Sequence, residues 1–223
     1  MLADKIVGIL APHTCIGCGK RGSVLCKSCL NSYVEPVQSR CAGCKALRDD
    51  FKTCTGCRRW LNLTKVYVAV PYSGLGERLV HELKYEMKRD AGEAIALQLK
   101  EVIGSSLENK NAVLCPVPTA PKRVRERGFD HSVIITKELS RLLHVQAVRA
   151  LKRVTNSRQV GATRAERMKQ MEYAFSVSKK HIQDKDVYLI DDVFTTGATL
   201  IAASKVLREA GARSVSAIVF CQK

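Results

Sequence analysis

The sequence predicts an α/β protein in which a doubly wound, largely parallel sheet follows a small cysteine-rich domain. Four C-x-x-C pairs occupy the first 57 residues, and from about residue 63 apolar strand-like runs alternate with amphipathic helical runs. One of those strands runs into two aspartates, a Thr/Gly-rich turn and a further helix. We therefore expect a cysteine domain over residues 1–62 and an α/β domain over residues 63–223.

The cysteine pairs predict a metal-binding domain. Eight of the ten cysteines form them: Cys15/Cys18, Cys26/Cys29, Cys41/Cys44 and Cys54/Cys57. A gap of two residues lets both thiolates of a pair reach one tetrahedral Zn²⁺, so the pairs predict about two closed Cys₄ sites. Consecutive pairs favour two stacked zinc ribbons, with an interleaved cross-brace as the alternative. Because closed sites leave no position for substrate, we expect the zinc to be structural.

Disulfides are the competing explanation for these cysteines. The apolar run near the amino terminus, from Ile6 to Ala11, is too short for a signal peptide, and no segment is long and apolar enough to insert into a membrane. A cytoplasmic location, where thiols stay reduced, favours zinc. We expect Cys115 and Cys221 to be small buried hydrophobic residues and His13 to lie outside the metal sites.

The α/β elements are expected in a regular order. Strands are predicted at KVYVAVPY, AVLCPVP, DVYLID and SVSAIVF, with an edge strand at YAFSV. Helices are predicted around Leu79 to Leu83, from Ala91 to Val102, from Phe129 to Leu143 and over TLIAASKVLREAG. In a sheet of this kind, ligands bind beyond the carboxyl ends of the strands.

The segment VYLIDDVFTTGAT predicts a phosphate site. Asp191 and Asp192 end its strand, and the turn that follows consists of Thr195, Thr196, Gly197, Ala198 and Thr199. Free amides at the start of a helix favour an anion, and paired acids suit hydroxyl groups or hydrated Mg²⁺. A simple capped turn would need only one acid. The segment resembles the loop of type I phosphoribosyltransferases that binds phosphoribosyl pyrophosphate (PRPP).

A basic loop lies before the helix that starts near Phe129. Its residues are Lys122, Arg123, Arg125, Arg127 and Gly128. Clustered guanidinium groups bind pyrophosphate well, although an exposed loop that aids solubility is the simpler alternative. The formal net charge of +16, lowered by four if eight thiolates bind two Zn²⁺, also favours phosphorylated small molecules or polyanions as partners.

The whole chain resembles the ComF family of competence proteins. The resemblance rests on the cysteine pairs, LKYEMKRD, CPVPTAPKRVRERGFDHS, LKRVTNSRQVGATRAERMKQMEYAF and VYLIDDVFTTGATL. It implies a zinc-ribbon head on a type I phosphoribosyltransferase-like fold, a role in uptake or processing of single-stranded DNA, and DNA-uptake or helicase proteins as partners.

By position, the resemblance assigns roles to particular residues. Asp191 and Asp192 would hold the ribose hydroxyls of PRPP, directly or through Mg²⁺, and would be the catalytic residues. Residues 195–199 would wrap the 5-phosphate, and residues 123–128 would face the pyrophosphate. Residues 158–167 would form a mobile loop.

Two departures from the family pattern concern the same site. Asp130 and His131 stand where the family usually has Asn and Gln, and Gln170 replaces an Asn. An acid at position 130 argues against tight pyrophosphate binding. Two functions therefore stay open: a competence factor that binds PRPP with Mg²⁺ and single-stranded DNA, and a phosphoribosyltransferase that transfers ribose 5-phosphate to a nucleobase or amine. No residue set identifies the acceptor.

Overall fold

A computed structural model of the protein describes residues 13–33, 37–86, 88, 90–104, 107, 111–154 and 174–223. Its centre is a five-stranded sheet in which every neighbouring pair is parallel. Numbered along the chain, its strands lie in the order β1-β7-β6-β2-β3. They are β1 (Val66–Pro71), β2 (Ala112–Pro116), β3 (Gln146–Ala147), β6 (Asp186–Phe194) and β7 (Ser214–Gln222). The predicted parallel α/β class is confirmed.

The central pair β6 and β7 carries the sheet. Both are nine residues long and mostly buried, as expected for strands covered on both faces. β6 runs further than the sequence indicated, because Asp191 and Asp192 lie within the strand and pairing with β7 continues to Phe194. The two residues lie at the carboxyl edge of the sheet, where one carboxylate oxygen of each and a ring nitrogen of His131 lie within 4.8 Å of one another.

Seven helices of at least seven residues are seen in the described part of the chain. They are α1 (Lys27–Tyr33), α2 (Thr55–Leu61), α3 (Gly74–Lys84), α4 (Asp90–Ile103), α5 (Pro121–Arg127), α6 (His131–Leu143) and α7 (Ala198–Glu209). The prediction of a basic loop is wrong here, since residues 121–127 form a helix. Pro121 supplies the favourable first position of that helix, and Gly128 ends it in the left-handed conformation.

The two faces of the sheet form two hydrophobic cores. Alternate strand residues such as Leu114, Ile190 and Ile218 pack with α3, α4 and α6. Their neighbours, such as Leu189 and Val219, pack with α7 on the other face. Cys115 and Cys221 are fully buried among these residues, one in each core, as expected for small hydrophobic side chains.

The cysteine-rich head contacts both cores. Cys15 and Cys29 join the core that contains α3, α4 and α6, whereas Cys41 and Cys57 join the core that contains α7. The Ser204 hydroxyl on α7 also donates to the carbonyl of Leu61, with an O···O distance of 3.0 Å. The head thus straddles the edge strand β1, and the boundary at residue 62 stays a prediction.

A second, small sheet lies beside the main one. It pairs β4 (Leu151–Arg153) with β5 (Phe175–Val177) in antiparallel register, so YAFSV contributes to a separate ribbon and not to an edge of the main sheet. The predicted mobile loop at residues 158–167, and Gln170, lie outside the described residues. In the described part of the chain, no helix has the length and apolar character that a membrane crossing requires.

Candidate functional site

The eight paired cysteines form two clusters. Within each, the four sulfur atoms lie within 4.8 Å of one another, and the clusters consist of Cys15, Cys18, Cys26 and Cys29, and of Cys41, Cys44, Cys54 and Cys57. The consecutive arrangement is therefore the one seen, and all ten cysteines are free thiols. His13 lies outside the clusters and instead contacts Asp90, with an N···O distance of 3.1 Å.

The spacing of the sulfur atoms fits zinc. Zn–S bonds of about 2.3 Å in a tetrahedron separate the sulfur atoms by about 3.8 Å. The Sγ atoms of Cys18 and Cys26 are 3.7 Å apart, and Cys54 Sγ lies 3.7 Å from both Cys41 Sγ and Cys44 Sγ. The four-sulfur donor set and these distances are those of structural zinc sites.

Two glycines allow the cysteine turns to close. A Cβ atom at Gly17 would lie 2.7 Å from the sulfur of Cys29, and one at Gly43 would lie 2.6 Å from the sulfur of Cys57. Both distances are shorter than any real contact of a Cβ atom. The two clusters thus share one local arrangement. In each, a glycine between the two cysteines of the first pair lies against the last cysteine of the second pair in the same cluster.

The thiols of each cluster differ in acidity. Burial raises the pKa of Cys15, but hydrogen bonds from backbone amides, that of Cys26 first, outweigh it and lower the pKa to about 6. Burial and the neighbouring Cys26 thiol raise the pKa of Cys29 to about 12. Four thiolates therefore do not coexist in one cluster without a compensating cation, which a divalent metal supplies.

The second site lies at the carboxyl edge of the main sheet. Asp192 is buried there, 4% exposed, while Asp191 beside it is partly exposed. The Asp192 amide donates to Asp191 Oδ1, with an N···O distance of 2.9 Å. A Lys84 ammonium from the end of α3 pairs with Asp192 Oδ2.

His131 connects this acidic pair to the basic helix α5. Its Nδ1 atom lies 3.3 Å from a terminal nitrogen of Arg127, and its Nε2 atom lies 3.2 Å from Asp192 Oδ1. Because a guanidinium only donates hydrogen bonds, Nδ1 is the acceptor and Nε2 carries the hydrogen donated to Asp192. Arg127, His131, Asp192 and Lys84 thus form one continuous polar network.

The two aspartates have opposite pKa shifts. Burial acts to raise the pKa of Asp192, but the hydrogen bond from His131 and the charge of Lys84 outweigh it and hold the pKa below its ordinary value. Burial, with the charge of Asp192, raises the pKa of Asp191 well above its ordinary value. The charge of Lys84 lowers the pKa of Asp191 only in part, so Asp191 is the less strongly compensated of the two acids.

The turn after the strand has the shape that a phosphate cradle needs. Gly197 has φ +74° and lies against Phe194, whose ring would be 2.8 Å from an added Cβ. α7 starts at Ala198, so its first-turn amides lie beside the exposed Thr195 and Thr196. Glycine is the residue that this left-handed, crowded position accepts.

The predicted basic residues divide into two groups. Arg127 is buried and faces the network, and its guanidinium lies 5.3 Å from the ring centre of Tyr85. Lys122, Arg123 and Arg125 are exposed, as is Gly128. Arg125 lines a cavity of about 1080 Å³ whose charged lining is mixed. Its other cations are Lys137, Arg149, Lys152 and Arg153, and its acids are Asp90, Glu93, Asp130 and Glu138.

Asp130 has a local structural role. Asp130 is the N-cap residue of α6, and its Oδ1 accepts hydrogen bonds from the amide and hydroxyl of Ser132 and from the Thr119 hydroxyl. Its Oδ2 accepts from the Thr119 amide, with an N···O distance of 3.0 Å. These hydrogen bonds hold the carboxylate at the start of the helix, which gives the acid at position 130 a structural reason.

Comparison with known proteins agrees with this geometry. Residues 130–223 match the family described as phosphoribosyl transferase domain. Over 200 residues the chain is 26% identical to competence protein ComFC of Bacillus subtilis, covering 86% of this chain and 81% of that protein. Together with the two Cys₄ clusters, these matches fit a protein of the ComF family, which the chain resembles.

Other relatives match a smaller part of the chain. Competence protein F of Haemophilus influenzae is 33% identical over 143 residues, which are 62% of this chain and 58% of that protein. DNA utilization protein YhgH of Escherichia coli K12 is 28% identical over 161 residues, 65% of this chain and 66% of that protein. The chain therefore spans less than two thirds of each of these relatives.

Solved structures with similar folds include phosphoribosyltransferases. The glutamine PRPP amidotransferase of Bacillus subtilis, complexed with ADP and GMP, has a TM-score of 0.42 at 19% identity, covering 59% of this chain and 26% of that one. An adenine phosphoribosyltransferase from Thermoanaerobacter pseudethanolicus has a TM-score of 0.39 at 12% identity, covering 62% and 83%.

Sequence reasoning does not assign two residues of this site. Lys84 lies in the segment LKYEMKRD, which enters only as part of the family resemblance, and His131 enters only as a departure from the family pattern. What identifies Lys84 and His131 is their contact with Asp192 in the folded structure. His131 and Asp192 are 61 residues apart in the chain, so the sequence does not indicate this contact.

Proposed function

We propose that this protein binds PRPP with Mg²⁺ at the carboxyl edge of its sheet and acts in competence-related handling of single-stranded DNA in the cytoplasm. Asp191 and Asp192 hold the ribose hydroxyls, and residues 195–199 bind the 5-phosphate. Arg127 binds the pyrophosphate. The names of the curated relatives, competence and DNA utilization proteins, support the cellular role.

One observation carries the binding proposal. The polar network brings a buried arginine to the acidic pair, which runs directly into the glycine turn, although Arg127 and the acidic pair come from separate segments of the chain. PRPP carries a diol, a phosphate and a pyrophosphate on one ring. The acids match the diol, while the turn and the cations match the anionic groups.

The donor set of this site fits Mg²⁺. Asp191 offers a partly exposed carboxyl group whose pKa is raised by burial and by the charge of Asp192, so a cation bound beside it would favour its ionised form. When bound there with PRPP, Mg²⁺ would neutralise pyrophosphate charge. The residues of the chain do the rest: His131 orients Arg127 towards the site, and Lys84 keeps the carboxylate of Asp192 ionised.

We also propose that each Cys₄ cluster holds one structural Zn²⁺. The sulfur spacing and the closed, four-thiol donor set support this assignment. Because the clusters share the cores of the sheet, the metal sites fix the edge strand β1 as well as the head itself.

A calorimetric titration tests the PRPP site. Zinc-loaded protein is titrated with PRPP in the presence of Mg²⁺, beside the double variant Asp191→Asn/Asp192→Asn. We expect the variant to lose binding while its zinc content stays unchanged. Equal affinity of the two proteins would refute the site assignment.

Single-stranded DNA binding is assigned to the exposed cations of α5 and the neighbouring cavity. Arg123 and Arg125 are solvent-exposed, and Arg125 shares the cavity with Arg149 and Lys152. Each phosphate contact contributes roughly 0.7 to the slope of log affinity against log salt for single strands. We expect Arg123→Ala/Arg125→Ala to flatten this slope by up to about twice that amount, and an unchanged slope would move the DNA surface elsewhere.

Phosphoribosyl transfer is the second candidate function. It is favoured by the opposite pKa shifts of two adjacent acids, an arrangement typical of sites that do acid–base work. The test is pyrophosphate release from PRPP with each nucleobase in turn. Release with one base would establish a transferase, and binding without release would leave the chain as a PRPP-binding competence factor.

A further inference from the structure

Tyr85 presents an aromatic ring to solvent beside the acidic pair. It is the C-terminal cap residue of α3, next to Lys84, and it is 61% exposed. Among the Phe, Tyr and Trp side chains whose burial the structure describes, Tyr85 and Trp60 in the head are the two exposed ones. An exposed ring next to a charged site therefore needs a physical account.

The ring is held in place from within the protein. The guanidinium carbon of Arg127 lies 5.3 Å from its centre, and the His81 ring on the preceding turn of α3 lies 4.9 Å away. Arg127 is in turn fixed by His131. Tyr85 thus keeps one orientation while much of its surface stays open, which is the geometry of a stacking platform.

The surroundings select the chemistry of the ligand. At the same edge, Lys84 and Arg127 supply positive charge, and the Lys223 ammonium lies 4.3 Å from the ring centre of Tyr72, which follows β1. A ligand that combines a flat ring with an anionic group satisfies both features. Nucleotides have this composition, and base stacking on an aromatic side chain tolerates any base.

We propose that Tyr85 is the platform on which the base of a nucleoside 5′-phosphate stacks. This inference rests on the proposed function, because the acidic pair and the glycine turn place the ribose and its 5-phosphate next to the ring. It adds a base subsite to the site, and it names nucleotides as ligands in addition to PRPP. The base belongs either to a free nucleotide or to the 5′-phosphorylated end of a strand.

The test compares affinities within one protein. Wild type, Tyr85→Ala and Tyr85→Phe are each titrated with dTMP and with ribose 5-phosphate. We expect wild type and Tyr85→Phe to prefer dTMP by about tenfold or more, and Tyr85→Ala to lose the preference. The ratio cancels any general effect of the substitution on Arg127. Trp60→Ala, which removes the other exposed aromatic ring, should keep the preference.

Two oligonucleotide arms identify the source of the base. If the ligand is a strand end, a 5′-phosphorylated oligonucleotide shows the same Tyr85 dependence and its 5′-hydroxyl counterpart does not. If it is a free nucleotide, only dTMP shows the dependence. Equal affinity of wild type for dTMP and ribose 5-phosphate, or a preference retained in Tyr85→Ala, would overturn the proposal.

The PRPP titration distinguishes a failure of the Tyr85 proposal from a failure of the proposed PRPP-binding function. PRPP binding without a base preference means that the function holds and the base subsite fails. A Tyr85-dependent preference without PRPP binding means that the base subsite holds and the site serves nucleotides alone.

Discussion

The cysteine clusters and the aspartate pair both crowd acidic groups into a small volume, but they compensate the charge differently. Each cluster consists of four cysteine thiols. Burial and a neighbouring thiol raise the pKa of Cys29 to about 12. At the sheet edge, the chain itself supplies Lys84 and His131 to one of the two acids. We therefore expect the head to depend on a metal for its stability, whereas charged side chains of the chain itself organise the sheet-edge site.

The difference also explains why the two aspartates are not equivalent. Asp192 is compensated by the chain, so its charge organises the site. Burial and the charge of Asp192 raise the pKa of Asp191, so a bound cation would favour its ionised form. In the proposed function, Asp192 therefore organises the site and Asp191 is the group that responds to the ligand.

The largest expected effect is metal removal. Chelation of zinc should unfold the head and expose the cores that it covers, because structural zinc contributes on the order of 10 kcal/mol in small metal domains. Metal analysis and circular dichroism measure this, and Cys41→Ser should lower the zinc content by one ion. Cys115→Ala, a buried cysteine outside the clusters, should leave it unchanged; equal loss in both variants would contradict the assignment.

The next effect concerns Lys84. Replacing it with Met leaves the buried carboxylate of Asp192 with less compensation, which costs roughly 3 kcal/mol of unfolding free energy. Because the pKa of Asp192 is depressed in the folded chain, its contribution is present at neutral pH and is lost as pH falls towards that lowered pKa. Lys84→Met should therefore lose stability at pH 7 and show a flatter acid dependence.

Denaturant unfolding at several pH values measures the effect of Lys84→Met. The matched control is Arg141→Met, which breaks only exposed ion pairs with Glu93 and Glu138 and should cost less than about 1 kcal/mol. Equal losses in the two variants would mean that Lys84 does not compensate Asp192.

A single methyl group tests the closure of the second cluster. Gly43→Ala places a Cβ against the sulfur of Cys57 and should destabilise the head by about 2 kcal/mol. Gly56→Ala is the control, since its Cβ would meet nothing within 4 Å and it lies within α2. The unfolding temperature of Gly43→Ala should be below that of wild type, and that of Gly56→Ala should equal or exceed it. The reverse order would show that the turn is not tightly closed.

Replacing His131 should have a smaller effect, and one that is selective for pyrophosphate binding. His131→Ala removes the acceptor that orients Arg127, so pyrophosphate affinity should fall by about tenfold while ribose 5-phosphate affinity changes less. His131→Gln retains an acceptor and a donor, so its pyrophosphate affinity should return towards that of wild type. Equal weakening of both ligands in His131→Ala would reduce the residue to a structural role.

The sequence predicts the local features of this molecule well. The cysteine spacing, the alternation of strands and helices, and the strand–acid–turn order depend on residues close together in the chain, and each is seen in the structure. The length of β6 and the helix at residues 121–127 were missed, because pairing with β7 and the start at Pro121 override the polar composition.

The contacts that assemble the site could not be predicted. Lys84, His131 and Asp192 come from three separate elements and meet only after the sheet has formed. The division of the basic residues into one buried arginine and three exposed cations depends on the helical turn of α5, which was not expected.

The most direct measurement separates the two aspartates. PRPP affinity with Mg²⁺ and the unfolding temperature are determined for Asp191→Asn and Asp192→Asn singly. The account predicts that Asp191→Asn loses binding but unfolds at the same or a higher temperature, since its raised pKa makes ionisation costly at pH 7. Asp192→Asn should lose both binding and stability. An Asp191→Asn variant that binds PRPP like wild type would contradict the central claim.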